Sequence, residues 1–256
     1  YQDIVLSGWN SGASDEIYVI EVYQPQVINV PADYATIQTA IDSSNDGDTV
    51  LVAAGTYVEN LIWPNTNGIK LIGSGQDDCI IDGNQQASVI SLWFQGNLGG
   101  IIDTTTLISG FTVTNGISDD GGGIRCGNEY GSSGPKPTLK NLKICYNSAT
   151  QGGGIYCDWG GNPVLKNVII SNNTAIYGGG IRGAGNSTNA GSSPTLINVV
   201  ITSNSGMGLD LYNSNSVIKN TINYHNGYET IPTFNNLNIS YSNIEGGWEG
   251  EGNIDA

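Results

Sequence analysis

Gly121-Gly122-Gly123-Ile124, Gly152-Gly153-Gly154-Ile155 and Gly178-Gly179-Gly180-Ile181 are three copies of one motif. Each follows a second landmark, an apolar residue, a variable residue and then Asn or Gly: Ile108-Ser109-Gly110, Leu139-Lys140-Asn141 and Leu165-Lys166-Asn167. The step from Ile108 to Gly123 equals the steps from Leu139 to Gly154 and from Leu165 to Gly180. Landmarks that stay in phase while the repeat length changes describe a stack of similar coils, with extra residues looped out at one corner.

Working outward, the apolar-x-Asn landmark recurs at Leu196-Ile197-Asn198 and Ile218-Lys219-Asn220, and the glycine motif degenerates to Gly206-Met207-Gly208-Leu209. A third feature travels with them, an apolar residue followed three later by Asn: Ile144/Asn147, Ile170/Asn173 and Ile201/Asn204. One coil therefore reads as a strand ending in Leu, a turn at Asn, a strand with two inward apolar residues, an Asn turn, a Gly-rich corner and a strand beginning with Ile. Three short strands per coil predict an all-β fold, a parallel solenoid of about seven coils. Asn tolerates the left-handed backbone of a tight turn, and its amide can bond to the Asn of the next coil, so Asn141, Asn167, Asn198 and Asn220 are expected to form a ladder. Glycine at the other corner permits positive φ and close backbone stacking.

Before the repeats, Val27-Ile28-Asn29-Val30 reads as a strand, and Ile37, Ala40 and Ile41 have the spacing of one helical face, with Asp33 as the expected cap. Such a helix would close the open end of the stacked core. Residues 1–26 stand outside the repeat as a strand-rich leader, either the end of a preceding domain or a strand that pairs between molecules; residues 27–256 form the solenoid. At the other end, either the tail from Glu245 to Asp255 folds over the last coil with Trp248 as a plug, or the native chain continues past Ala256.

Composition narrows the function. The chain has 37 Gly, only 12% charged residues and a net charge of −15. Binding to nucleic-acid phosphates or to an anionic membrane is disfavoured. No apolar run approaches the ~20 residues that span a bilayer. A Gly- and Asn-rich, Lys-poor β protein fits a secreted or cell-surface location. The four cysteines, Cys79, Cys126, Cys145 and Cys157, contain no C-x-x-C pair. Cys126 and Cys157 hold the same place in successive coils; a ladder of free buried thiols and a disulfide are both open, with parallel side-chain vectors favouring the thiols.

The triple-Gly-Ile and apolar-x-x-Asn motifs resemble the repeats of chlamydial polymorphic outer membrane proteins, which implies a bacterial surface protein. The segment Val30-Pro31-Ala32-Asp33-Tyr34-Ala35-Thr36-Ile37-Gln38 through Gly55-Thr56-Tyr57 looks like the first coil of pectate-lyase-like right-handed parallel β-helix proteins. Together these resemblances imply a right-handed parallel β-helix with a short N-terminal capping helix. The superfamily includes lyases, esterases, hydrolases, phage tailspikes and non-catalytic adhesins, so fold does not choose among functions.

Chemistry must come from particular residues. Asp77-Asp78 and Asp119-Asp120 are adjacent carboxylates outside the sequence context of the hydrolases of that superfamily, and the two facing Asp and one Arg of a methylesterase cannot be assembled from sequence. His225, the one histidine, reads as a turn residue. A lyase would need a cation such as Ca²⁺ and a base; Arg125 and Arg182, the two arginines of the chain, are the candidates. Each follows the inward Ile of a glycine motif, so an outward stripe Arg125–Tyr156–Arg182–Asp210 is expected at roughly 4.8 Å per step. With Tyr130 and Trp159 on the looped-out edge, this stripe is the candidate binding site for an acidic polysaccharide. Asp119, Asp120 and Asp158 are candidate calcium ligands. A second outward stripe holds Lys140, Lys166 and Lys219, whose direct stacking costs stability. The leading expectation is a non-enzymatic extracellular scaffold for adhesion, surface display or filament assembly. Its partners would be a polysaccharide or another surface protein, with self-assembly through residues 1–26. The alternatives are a Ca²⁺-dependent polysaccharide lyase and a glycan-binding module.

Overall fold

The computed structural model describes residues 2–7, 17–95, 101–129, 133–184, 191–228 and 236–255. Successive coils lie directly above one another as a right-handed parallel β-helix. Along the first wall, Ile108 pairs with Leu139, Leu139 with Leu165, Leu165 with Leu196, Leu196 with Ile218 and Ile218 with Ile239. Each of these six side chains is at most 3% exposed, so one apolar residue per coil builds a continuous inner column. The glycine motifs stack too: the Gly123 N–H donates to the Gly153 carbonyl, and the Gly154 N–H to the Gly179 carbonyl.

The first wall contains nine stacked strands, from Val27–Val30 to Asn238–Ser240, rather than the seven coils expected. The strands Thr49–Val52 and Lys70–Gly73, which carry no triple glycine, are the second and third of them. A second wall begins after a one-residue bend. In the long strands Thr138–Cys145, Val164–Ser171 and Thr195–Thr202 that bend is Asn141, Asn167 or Asn198, each with φ between 50° and 56°. Asn167 donates to Asn141 and Asn198 to Asn167, both at 3.2 Å, so three of the four Asn residues expected in the outer ladder are linked.

A second Asn ladder runs inside. Asn147, Asn173 and Asn204 are each at most 2% exposed. Asn173 Nδ2 donates to Asn204 Oδ1 at 3.0 Å and to the Ile144 carbonyl at 2.9 Å, while its Oδ1 accepts from the Asn147 N–H and Nδ2, both at 3.0 Å. Every polar group of a buried corner is thereby paired, which is what makes Asn tolerable there.

Between this corner and the glycine motif lies a short third wall: Ile117–Asp120, Ser148–Gln151 and Thr174–Tyr177. In the middle of the stack each coil thus has three strands, as expected, the first of them bent at its Asn. The glycine motif then turns the chain. Gly121, Gly152 and Gly178 have φ of 67°, 63° and 62°. A Cβ on Gly123 would lie 2.5 Å from the Gly154 carbonyl oxygen, so the corners cannot stack with anything larger. The fourth wall follows, from Leu61–Ile62 through Ile90–Phe94, Ile124–Asn128, Ile155–Asp158 and Ile181–Gly183 to Leu209–Leu211.

The helix Ile37–Ser43 closes the first coil with Ile37, Ala40 and Ile41 buried. Its N-cap is Thr36, whose side chain accepts from the Thr39 N–H, and not the expected Asp33. Asp33 instead accepts from the Asn29 N–H at 2.6 Å, which occupies a donor on the outermost strand of the first wall. Glu59, from the next coil, accepts from the N–H groups of Ile37 and Gln38, both at 2.9 Å, and supplies the negative charge that the helix start favours.

At the other end the tail folds over the last coil. Tyr241 N–H donates to the Glu251 carbonyl, Ile244 N–H to that of Ile254, and Trp248 packs partly buried against the core. In the leader, Gln2–Ser7 pairs antiparallel with Ile17–Val22. Asp48, buried in the first coil, holds the joint: it accepts from the Tyr23 hydroxyl at 2.5 Å, the Gln26 N–H at 2.6 Å and the Asn45 N–H at 2.8 Å. Among the described residues no helix is long and apolar enough to cross a membrane.

Candidate functional site

Inward and outward positions alternate along the fourth wall, although Tyr156 and Asp210 on the outward side are covered. Ile124, Ile155, Ile181 and Leu209 face the core at 0–1% exposure. The next residue on each strand faces out, and register places Arg125 beside Tyr156, Tyr156 beside Arg182 and Arg182 beside Asp210. Parallel pairing without a slip produces this row, because inward and outward positions cannot exchange unless a strand shifts by one residue.

A second outward row lies two residues further on, with Trp93 beside Gly127 and Gly127 beside Asp158. A Cβ on Gly127 would sit 2.8 Å from the Trp93 ring. The bare backbone lets the indole lie across it and reach Arg125, whose guanidinium carbon is 3.7 Å from the ring centroid. The Trp93 and Tyr156 rings are 6.3 Å apart.

Across the glycine corner the third wall contributes Asp120, Gln151 and Tyr177, which pair in register at its end. Asp120 accepts from Gln151 Nε2 at 3.0 Å and forms an ion pair with Arg125 at 3.4 Å. Tyr177 lies under Arg182, with the guanidinium carbon 5.3 Å from the ring centroid, and Arg182 is paired with Asp210. Tyr156 donates its hydroxyl to Asp158 Oδ2 at 2.9 Å, and the Trp159 N–H donates to Oδ1 at 2.8 Å. The result is a belt of two arginines, three carboxylates and aromatic rings, drawn from two walls.

Its groups are largely committed to one another. Tyr156 and Asp210 are each only 4% exposed. Both guanidiniums are held by a carboxylate on one side and an aromatic ring on another, and their Nε atoms are buried without a hydrogen-bond partner. Burial, reinforced by the charges of Asp158 and Asp120, pushes the Tyr156 hydroxyl far above its usual range. Burial also pushes the Asp158 carboxyl up, helped by the Asp120 charge and opposed by the bonds from Trp159 and Tyr156.

The expected stripe Arg125–Tyr156–Arg182–Asp210 is therefore assembled, and Trp159 stands beside it, half-buried with φ of 45°. Tyr130 lies outside the described residues. The sequence reading missed Trp93, Asp120 as a partner of Arg125, Gln151 and Tyr177. The two Asp and one Arg that cannot be assembled from sequence have a partial counterpart here, because the glycine corner brings Asp120 and Asp158 to the same arginine row. For calcium, Asp119 alternates away from Asp120 along its strand and is exposed. Among the described residues no three His, Cys, Asp or Glu side chains converge as metal ligands. His225 sits exposed at a turn with φ of 55°, its ring 4.8 Å from that of Tyr224.

Comparison with protein families and with curated proteins finds no match. Among solved structures the chain is similar to a pectin methylesterase from carrot, with 14% identity, a TM-score of 0.47, and coverage of 92% of this chain and 88% of that one. It is similar to a pectin methylesterase in complex with a hexasaccharide at 13% identity and a TM-score of 0.45, covering 93% and 92% of the two chains. For the Aspergillus niger pectin methylesterase the values are 16% and 0.39, with 98% and 87% covered. The similarity extends to the overall fold and no further.

Proposed function

We propose that the chain is a non-enzymatic extracellular β-helix scaffold that presents its belt of paired arginines and aromatic rings to a carbohydrate partner. One observation carries this reading: each guanidinium is already neutralised by a carboxylate and stacked on a ring. β-Elimination from a uronate needs a free cation to neutralise the sugar carboxylate and a base to take the α-proton. A guanidinium already ion-paired and stacked on a ring is not free for either role. A rigid polar belt with aromatic edges does suit hydroxyl groups and the apolar faces of sugars. The test is incubation of the purified chain with polygalacturonate and alginate, with and without Ca²⁺, followed by ultraviolet absorbance of unsaturated products. A flat trace is expected; a rise that is lost in Arg182→Gln while the variant remains folded would establish a lyase instead.

A second reading rests on Asp158. A carboxyl pushed upward by burial beside the carboxylate of Asp120 is the arrangement from which an acid and a base for hydrolysis are made. Release of methanol or reducing sugar from a pectic substrate, abolished by Asp158→Asn with the fold intact, would favour that reading over the scaffold.

A further inference from the structure

We infer that the outer face of the first wall is a second binding surface, a track for a carboxylated polysaccharide lying along the helix axis. The chain carries six lysines, and five of them, Lys70, Lys140, Lys143, Lys166 and Lys219, lie on strands of the first two walls. The nine strand segments of the first wall contain no Asp or Glu, in a chain whose net charge is −15. None of these lysines forms an ion pair among the described residues.

Register arranges them in line. Ile72 pairs with Ser109, Ser109 with Lys140, Lys140 with Lys166, Lys166 with Ile197, Ile197 with Lys219 and Lys219 with Ser240. At ~4.8 Å per rung this row is about 29 Å long. Lys140, Lys166 and Lys219 are all exposed. Lys140 directly over Lys166 is a repulsive pair with no counter-charge on the wall, and an anion lying on the row would relieve that cost. At physiological ionic strength a charge is felt over only ~8 Å, so a ligand on this face meets the lysines rather than the acidic remainder of the protein.

The surroundings fit a sugar chain. The exposed Asn141, Asn167 and Asn198 amides run beside the row and offer donors and acceptors for hydroxyls. A depression of about 520 Å³, lined in part by Ile72, Ser109 and Asn141, opens at one end of the row. Another of about 470 Å³, lined in part by Lys219 and Ser240, opens at the other. Asp77 in the first depression, and Glu249 and Glu251 in the second, mark where an anionic ligand would end. The strands of this wall carry no aromatic residue and no arginine, and the one ring at the track, Tyr241, lies in the second depression, so the row offers no series of rings for stacked nucleobases and the polysaccharide is favoured over a nucleic acid.

The experiment is calorimetric titration of the full chain with de-esterified oligogalacturonate, with its fully methyl-esterified form, and with double-stranded DNA of matched charge. The track predicts binding of the de-esterified form, weakened by salt, and no binding of the ester. The triple variant Lys140→Gln, Lys166→Gln, Lys219→Gln is expected to bind on the order of tenfold or more weakly. Because these side chains are exposed and Lys140 repels Lys166, its urea midpoint should be no lower than that of the parent chain. Unchanged affinity in the folded triple variant, absence of uronate binding at low salt, or tighter binding of DNA than of the uronate would each overturn the proposal. Uronate binding that survives unchanged in the folded triple variant would assign the ligand to the belt of the fourth wall, so failure of the track leaves the reading of that belt standing.

Discussion

Arg182 and Asp210 are ion-paired on adjacent rungs of the fourth wall, and the carboxylate side chain of the pair is only 5% exposed. That burial separates this pair from Arg125 and Asp120, which meet at 3.4 Å with both side chains more than a fifth exposed. Removing one partner of a buried pair strands a charge, whereas an exposed pair contributes little. Arg182→Met is therefore expected to destabilise the chain by about 3 kcal/mol or more. Loss of the Arg125 ion pair in Arg125→Met is expected to cost about 1 kcal/mol or less. Urea unfolding midpoints distinguish the two.

The inner Asn ladder is predicted to be far less forgiving than the outer one. Asn173→Ala would leave the Asn147 N–H, the Ile144 carbonyl and Asn204 Oδ1 short of partners in a buried corner. Each such group costs about 1–3 kcal/mol, so the loss should threaten folding. Asn167 is exposed and its φ is 55°. Asn167→Gly should be near neutral, and Asn167→Ala should cost about 1 kcal/mol for the left-handed backbone. Equal effects at the two Asn positions would contradict the assignment of their ladders.

The joint to the leader should be acid-labile. Burial alone would raise the Asp48 carboxyl, but bonds from Gln26, Tyr23 and Asn45 outweigh it and hold the group below the usual carboxylate range. A depressed native pKa contributes stability that is complete above the unfolded value of about 3.9 and is lost as pH falls through the native value. The parent chain should lose stability over that acid window, and Asp48→Asn should lose less there while starting less stable at neutral pH. Identical pH profiles would show that Asp48 is not the anchor.

The stacked thiols should be silent. Cys126 and Cys157 pair in register, are fully buried and are free, as are Cys79 and Cys145. The bond from Cys126, together with burial, pushes the Cys157 thiol up, away from the reactive thiolate. A thiol reagent should find no reactive cysteine in the native chain and four after denaturation. Recovery of two would mean that a disulfide bridges the rungs.

Much of this architecture was legible because it repeats. The spacing of the Leu-x-Asn and triple-Gly landmarks encodes the register directly, and register dictates that Arg125, Tyr156, Arg182 and Asp210 share one outward row. What could not be read lies off the repeat. Ile117–Asp120 has no residue buried in the core, so no apolar pattern marks it as a strand and nothing in the sequence sets Asp120 against Arg125. Trp93 reaches Arg125 only because Gly127 leaves room for the indole, a contact between coils that spacing does not reveal. Thr36 outcompeted Asp33 as the helix cap because Asp33 was already committed to the Asn29 N–H.

In-register stacking in the fourth wall underlies both the belt and its self-neutralisation, and a double-mutant cycle between Arg182 and Asp210 tests it most directly. The cycle of Arg182→Met, Asp210→Leu and the double variant should give a coupling of about 1.5 kcal/mol or more, the double variant being more stable than the sum of the single losses predicts. Simple additivity would mean that the two residues do not meet, and the belt would not exist as described.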